Sequence, residues 1–361
     1  MQSTLCEARL GVPQPLNSDM SAFMDHVPPA STVDSASPRL ATPWSSHPVL
    51  DPETQQFLDL VAEAGMHPDS LLAEQPSFPG RADSDDSCAD EYAVTIEALT
   101  FKTGPTGTID VHIVRPAGAP GLLPVVLYYP GGAWRMASFA THRRLVSRLS
   151  AEAEVAVVFV RCSPAPQVLF PTQNEEAYAA LQYVVAHAEV LQLDGRAIAV
   201  AGDGAGGNIA AVVARWARDR HGPSLRLQVL FCPILSADAT TQSYRQFATG
   251  PGMTAKALER FIESQFPERS RSLAAAMPIK SKPDELEDLP AALVITAEND
   301  ITRDDAEEYA RKLMRAGVRV NAARYIGTIH DFMVFDGLAD TCPTDAAFRH
   351  ASSVIKRALR R

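Results

Sequence analysis

The chain has 361 residues, 46% hydrophobic and 21% charged, which is core-forming material enough for one large α/β domain or two medium ones. A formal net charge of −10 with no Lys/Arg cluster excludes a nucleic-acid footprint. No apolar run reaches the roughly 18 residues of a membrane span, and Met1–Glu7 lacks the basic and apolar regions of a secretory signal, so a cytoplasmic protein is expected.

Residues 1–48 are rich in Pro, Ser and Asp without a sustained period and read as a mostly disordered arm. A helix is expected from Asp51 as N-cap, with Pro52 at its first position, Gly65 as its stop, and Phe57, Leu60, Val61 and Ala64 on one apolar face. Residues 69–91 return to loop composition. Tyr92–Lys102 and Thr108–Arg115, separated by Gly104-Pro105-Thr106-Gly107, read as an antiparallel hairpin. Further strands are expected near 124–129, 155–161, 196–201, 226–232, 292–297 and 318–325. Helices are expected near 139–152, 174–188, 205–219, 303–316 and 343–358. Short Val/Ile/Leu-rich strands alternating with helices predict a mostly parallel eight-stranded sheet covered on both faces. Residues 234–285 interrupt the alternation, with helical character near 254–266; an insertion there lies over the C-terminal edge of the sheet, where such folds bind ligands. Residues 49–361 are thus expected as one domain, with segments of about 49–90 and 234–285 forming a helical cap.

The most informative stretch is Ala197–Asn208, in which an apolar run enters Gly202-Asp203-Gly204-Ala205-Gly206-Gly207 and then a helix. A strand, a tight Gly-rich turn and a helix are the setting of the nucleophile elbow, G-x-S-x-G, and here the serine position holds Gly204. The same residues formally satisfy G-x-G-x-x-G, which raises a nucleotide-dependent oxidoreductase as an alternative. That fingerprint wants an acidic residue at the end of the next strand, and Leu227–Phe231 runs into Cys232-Pro233-Ile234 with no carboxylate before Asp238.

Three further segments fall in a telling order. Tyr128-Tyr129-Pro130-Gly131-Gly132-Ala133-Trp134 follows a strand and resembles the HGGGW oxyanion segment of the hormone-sensitive-lipase-like esterases, a branch of the α/β-hydrolases, with Pro130 in place of His and Ala133 in place of the third Gly. Val160–Pro166 through Phe170-Pro171 resembles that family's Y-R-L-A-P-E…F-P segment, with Arg161 in place of Tyr. Asp300, at the end of the strand Ala292–Thr296, matches the family's acid loop, and His330 in Tyr325–Phe332 matches its catalytic-histidine loop. Elbow, acid and histidine follow in the family's chain order, and the resemblance runs from about residue 50 to the C-terminus. It implies the α/β-hydrolase fold, a His330–Asp300 pair facing Gly204, and an oxyanion hole from the N–H groups of Gly131, Gly132 and Ala205. Taken alone, each of these residues has a plainer use: an Asp at a strand end commonly caps a helix, as Asp304 or Asp305 could, and His142, His187 and His221 earn no functional reading.

Glycine has no atom to deprotonate, and loss of a triad nucleophile costs about 10⁶ in rate, so ordinary serine-esterase turnover is not expected. Neighbouring Asp203 fills the variable elbow position and should point elsewhere. What the resemblance leaves is an oxyanion hole and a His–Asp base acting on a small apolar carbonyl or ester compound. Lyase, cyclase or isomerase chemistry, as in secondary metabolism, and water-mediated hydrolysis both fit. The alternative is a catalytically dead pseudo-hydrolase that only binds a small molecule. No cofactor is expected, and no metal, since the His and carboxylate residues lack ligand spacing and Cys6, Cys88, Cys162, Cys232 and Cys342 form no CxxC. The expected partner is a small-molecule substrate or ligand, without nucleic acid or a membrane span; a homodimer stays open.

Overall fold

Strand β3 (Leu123–Tyr129) shows how the molecule is layered. Its residues alternate between two cores: Val125, Leu127 and Tyr129 pack on one face of the sheet, Val126 and Tyr128 on the other. A strand buried on both faces reads as an unbroken apolar run, which is what Leu123–Tyr129 is. The computed structural model describes residues 48–66, 91–136 and 138–360; the expected arm up to residue 47, most of the loop at 69–91 and the 67–90 part of the cap lie outside the described residues.

Eight strands form one sheet in the order β1 (Val94–Phe101), β2 (Ile109–Pro116), β4 (Ala156–Arg161), β3, β5 (Leu193–Asp203), β6 (Leu227–Phe231), β7 (Ala291–Asn299), β8 (Val320–Ile329). The β1–β2 hairpin pairs Phe101 with Ile109, β2 runs antiparallel to β4, and all later pairings are parallel. Helices α3 (Thr172–Ala186), α4 (Gly204–Asp219) and α7 (Arg303–Arg315) bury their apolar sides on one face. On the opposite face lie α1 (Pro52–Glu63), α2 (Phe139–Ala153) and α8 (Cys342–Leu359). This is the α/β-hydrolase fold. Between β6 and β7 run the short α5 (Gln242–Gln246) and α6 (Ala255–Gln265), within the segment expected as an insertion. Asn208 of α4 donates to the carbonyls of Ile234 and Ala276, tying that segment to the central helix. No helix among the described residues is long and apolar enough to cross a membrane.

Asp51 caps α1 as its sequence predicts: Oδ1 accepts from the N–H groups of Glu53 at 3.1 Å and Thr54 at 3.3 Å. The buried stripe is narrower than the expected face. Thr54, Phe57 and Val61 point inward, whereas Leu60 and Ala64 are exposed. Phe57 stacks on Phe335 at 5.6 Å, and the Asp51 N–H donates to the carbonyl of Gly327 at 3.1 Å, so this helix is fixed to the end of β8 and to the loop that follows it.

Because β3 to β8 are mutually parallel, their C-terminal ends lie along one edge. That edge collects Pro130-Gly131, Asp203-Gly204, Cys232, Asp300 and His330, each just past the end of its strand or at it.

Candidate active site

The tightest feature of this edge is the passage from β5 into α4. Asp203 is extended (φ −110, ψ 151), and Gly204 then takes φ +47, a left-handed value that residues with a Cβ rarely adopt. The chain reverses in one step and the helix begins at once. The turn also requires backbone contact: a Cβ on Gly206 would fall 1.8 Å from the carbonyl oxygen of Tyr129. Two glycines of the G-x-G-x-x-G string are also taken by close packing, since a Cβ on Gly202 would fall 2.3 Å from the Gly206 backbone and one on Gly207 2.7 Å from Pro233.

Asp300 and His330 meet in front of this turn. His330 Nδ1 lies 2.8 Å from Asp300 Oδ2, and both side chains are buried. Asp300 is held in turn by the N–H of Thr302 at 2.9 Å and by its hydroxyl at 3.0 Å. A hydrogen bond at Nδ1 turns Nε2 outward, and Nε2 lies 3.5 Å from where a Cβ on Gly204 would stand. Burial alone would lower the His330 pKa, but Asp300 and Asp331 outweigh it and push it up to about 9. Gly252, from the segment between β6 and β7, stands against the Ile329–His330 backbone.

The segment after β3 departs from expectation at one residue. The Gly131 N–H donates to both carboxylate oxygens of Asp203, at 3.1 and 3.0 Å, so it is not free to receive an oxyanion. Asp203 does point away from the turn: it is fully buried and also accepts from the Tyr128 hydroxyl at 2.5 Å and lies 3.3 Å from His142 Nε2. A side chain on Gly131 would collide with this carboxylate, 2.1 Å from the Cβ position. Beyond Gly131 the backbone is strained, with Gly132, Ala133 and Trp134 all left-handed at φ +73, +55 and +60. The Trp134 carbonyl holds this shape by accepting from the Ala165 N–H and the Gln173 amide, both at 2.9 Å. No backbone carbonyl among the described residues takes up the N–H groups of Gly132, Ala133 or Ala205.

His142, which the sequence left without a role, is thus the centre of a second buried His–Asp pair. Burial is the largest influence on its pKa and lowers it, but Asp203, Asp331 and the Ser138 carbonyl together outweigh it and the net direction is up; for Asp203, burial raises the pKa, His142 and the donated hydrogen bonds outweigh it, and the net direction is down. Its sequence signal was available: His142 shares the buried face of α2 with Leu145, Val146 and Leu149, at helical spacing. Arg161, which replaces the resembled family's Tyr, stays at the surface and pairs with Asp110 at 3.1 Å. The Cys232 thiol, the Asp300 carboxylate and the His330 ring lie within 4.8 Å of one another, a spacing that metal ligands share. Here the His–Asp hydrogen bond uses the facing atoms, and burial beside Asp300 and Asp331 pushes the Cys232 thiol well up, disfavouring the thiolate a metal needs. An open groove of about 1160 Å³, lined in part by Arg218, Arg226, Arg319 and Arg357, lies at the opposite, N-terminal ends of β6–β8 and holds none of these residues.

Residues 126–334 match the family model of the α/β-hydrolase fold. The chain belongs to this family. This α/β-hydrolase is 35% identical over 309 residues to the protein R526 of Acanthamoeba polyphaga mimivirus, covering 85% of this chain and 88% of that one. It is also 35% identical over 266 residues to the carboxylesterase NlhH of Mycobacterium tuberculosis, covering 73% and 83%. A solved structure of a thermostable esterase from Pseudomonas putida ECU1011 is similar to it with a TM-score of 0.79 at 34% identity, covering 87% of this chain and 99% of that one.

Proposed function

We propose that this α/β-hydrolase acts on a small apolar ester or carbonyl compound by His330–Asp300 acid–base chemistry, with Gly204 at the position that holds serine in the G-x-S-x-G motif it resembles. The observation that carries this reading is the 3.5 Å between His330 Nε2 and the Cβ position of Gly204. A serine hydroxyl there would reach the imidazole, and a glycine offers nothing to it. No acyl-enzyme forms on residue 204. In this reading His330, oriented by Asp300, acts as acid or base, and the N–H groups of Gly132, Ala205 and, in place of Gly131, Ala133, which no backbone carbonyl among the described residues takes up, would receive a developing oxyanion. Such a set serves addition of water to a carbonyl carbon, or proton transfer through an enolate in elimination, isomerisation or cyclisation. Residues 234–285, with α1, would form the cap that holds the apolar part of the substrate.

The test is intact-mass analysis after mixing with p-nitrophenyl acetate and with a serine-directed phosphonate. Wild-type protein should show no adduct at residue 204, and Gly204→Ser should show one, with an acylation burst that His330→Ala abolishes. A folded Gly204→Ser protein without adduct or turnover would show that the site is not of acyl-transfer type. If His330→Ala alters ligand affinity but no turnover of any tested ester or ketone, the chain is a binding protein.

A further inference from the structure

The side chain that faces Gly204 most closely comes from the residue after the histidine. Asp331 Oδ2 lies 3.3 Å and Oδ1 3.6 Å from the Cβ position of Gly204, beside His330 Nε2 at 3.5 Å. Asp331 is 3% exposed and His330 2% exposed, yet Asp331 Oδ1 and His330 Nε2 have no hydrogen-bond partner among the described residues. Two buried, unpaired polar atoms aimed at one spot call for an occupant that donates to one and accepts from the other. Asp331 Oδ2 also stands 3.4 Å from His330 Nε2, near enough to feel its charge but without a hydrogen bond to it. The orientation is set by the backbone, since Asp331 adopts φ +55, and the Val334 N–H locks that turn by donating to its carbonyl at 2.8 Å.

We infer that Asp331 is a further catalytic residue of this chain: its carboxylate deprotonates a water molecule placed over Gly204, and that water attacks the carbonyl carbon of a small ester. The inference rests on the His330–Asp300 reading above and selects its water-mediated branch. Water loses one proton to Asp331 as its oxygen bonds to the carbonyl carbon. The tetrahedral oxyanion then collapses, the carbon–alkoxide bond breaks, and the leaving alkoxide takes the Nε2 proton of cationic His330. The next water to enter over Gly204 relays the Asp331 proton to Nε2. One ester and one water give one acid and one alcohol, and the site is restored.

The charges around Asp331 suit this division of labour. Burial raises its pKa, His330 lowers it, Asp203 and Asp300 raise it and His142 lowers it, for a balance of about 7, while His330 sits at about 9. Near neutrality the carboxylate ionises while the imidazolium keeps its proton. The rate should therefore rise with pH through about 7, as Asp331 loses its proton, and fall above about 9, as His330 loses its own; these are limbs of a coupled pair.

The experiment is hydrolysis of ethyl acetate, whose alkoxide needs a proton in order to leave, by wild type, Asp331→Asn, Asp331→Gly, His330→Ala and Gly204→Ser between pH 5 and pH 10, with one turnover run in ¹⁸O-water. Asn and Gly both accept left-handed backbone, so at least one variant should fold. Wild type should exceed Asp331→Asn in kcat by about 10²–10⁴-fold, with KM little changed, and the variants should lose the acid limb of the profile. One ¹⁸O should enter the product acid, with no acyl adduct on the Asp331 peptide. Asp331 variants with wild-type kcat and an intact acid limb, while His330→Ala is inactive, would overturn this inference and leave the proposed function standing. An acyl adduct on Asp331 would overturn the base role in favour of a nucleophile. Wild type no better than His330→Ala would overturn it too: an active Gly204→Ser in the same assay spares the proposed function, and an inactive one removes both.

Discussion

Asp203 shows what a single buried carboxylate does for the site. It occupies the variable position of the elbow, yet its two oxygens serve the Gly131 N–H, the Tyr128 hydroxyl and His142, joining the turn after β3, the strand itself and α2. The strained backbone from Gly132 to Trp134 starts at this anchor. Removing one member of a fully buried hydrogen-bonded pair costs about 3–5 kcal/mol, because the others are left desolvated and unpaired. Asp203→Ala should lose about that much in urea unfolding, and Asp203→Asn, which keeps an acceptor oxygen, clearly less. Equal losses would show that the charge, rather than the acceptor geometry, holds the turn. Sequence alone indicated that Asp203 points away from the elbow, since neighbours on such a turn diverge. It gave no sign of the target, because Tyr128, Gly131 and His142 meet it only through the tertiary fold. Asp331 was equally hidden: its aim depends on a left-handed backbone at a non-glycine residue and on the space left by Gly204.

Among the elements, the parallel strands were the most legible. Runs such as Ala197–Ala201 and Ala292–Thr296 are short, apolar and bounded by turn residues, and β5 and β7 contain both. The extensions were not legible. β8 continues to Ile329 past Gly327, because pairing with Asn299 of β7 carries the ladder beyond a residue that reads as a breaker. α1 was legible through its cap, but its docking was not: Asp51 bonds Gly327, and Asn299 reaches the Val49 carbonyl at 2.9 Å. The helix is thus fixed mainly at its N-terminal end and along Phe57 and Val61. Asp51→Ala should cost about 1 kcal/mol, the usual value of an N-cap, and should speed amide exchange within Pro52–Glu63 while leaving β3 and β5 protected. Faster exchange throughout the sheet would instead make α1 part of the cooperative core.

At the scale of the whole molecule, the C-terminal edge of the sheet concentrates buried ionisable groups: Asp203, Asp300, Asp331, His142 and His330. This charge cluster ties stability to pH with a sign that differs from group to group. His330, at about 9 in the fold against roughly 6.5 when free, stabilises fully below its free value and loses that contribution as pH rises through about 9. The raised His142 acts in the same direction. Asp331, at about 7, also binds its proton more tightly in the fold than in the unfolded chain, so its contribution is present below the free carboxylate pKa and lost as pH rises towards 7. Asp203, whose pKa is lowered, contributes above its free value and loses that only in stronger acid. Between pH 7 and pH 9 the native state therefore holds about one proton more than the unfolded chain, and each unit of pH should remove up to about 1.4 kcal/mol. The thermal midpoint of wild type should fall across that range, and His330→Gln, which cannot take up the proton, should flatten the fall. A wild-type midpoint that stays level from pH 7 to pH 9 would mean that His330 is neutral in the fold, and it would remove the cationic acid on which protonation of the leaving alcohol depends.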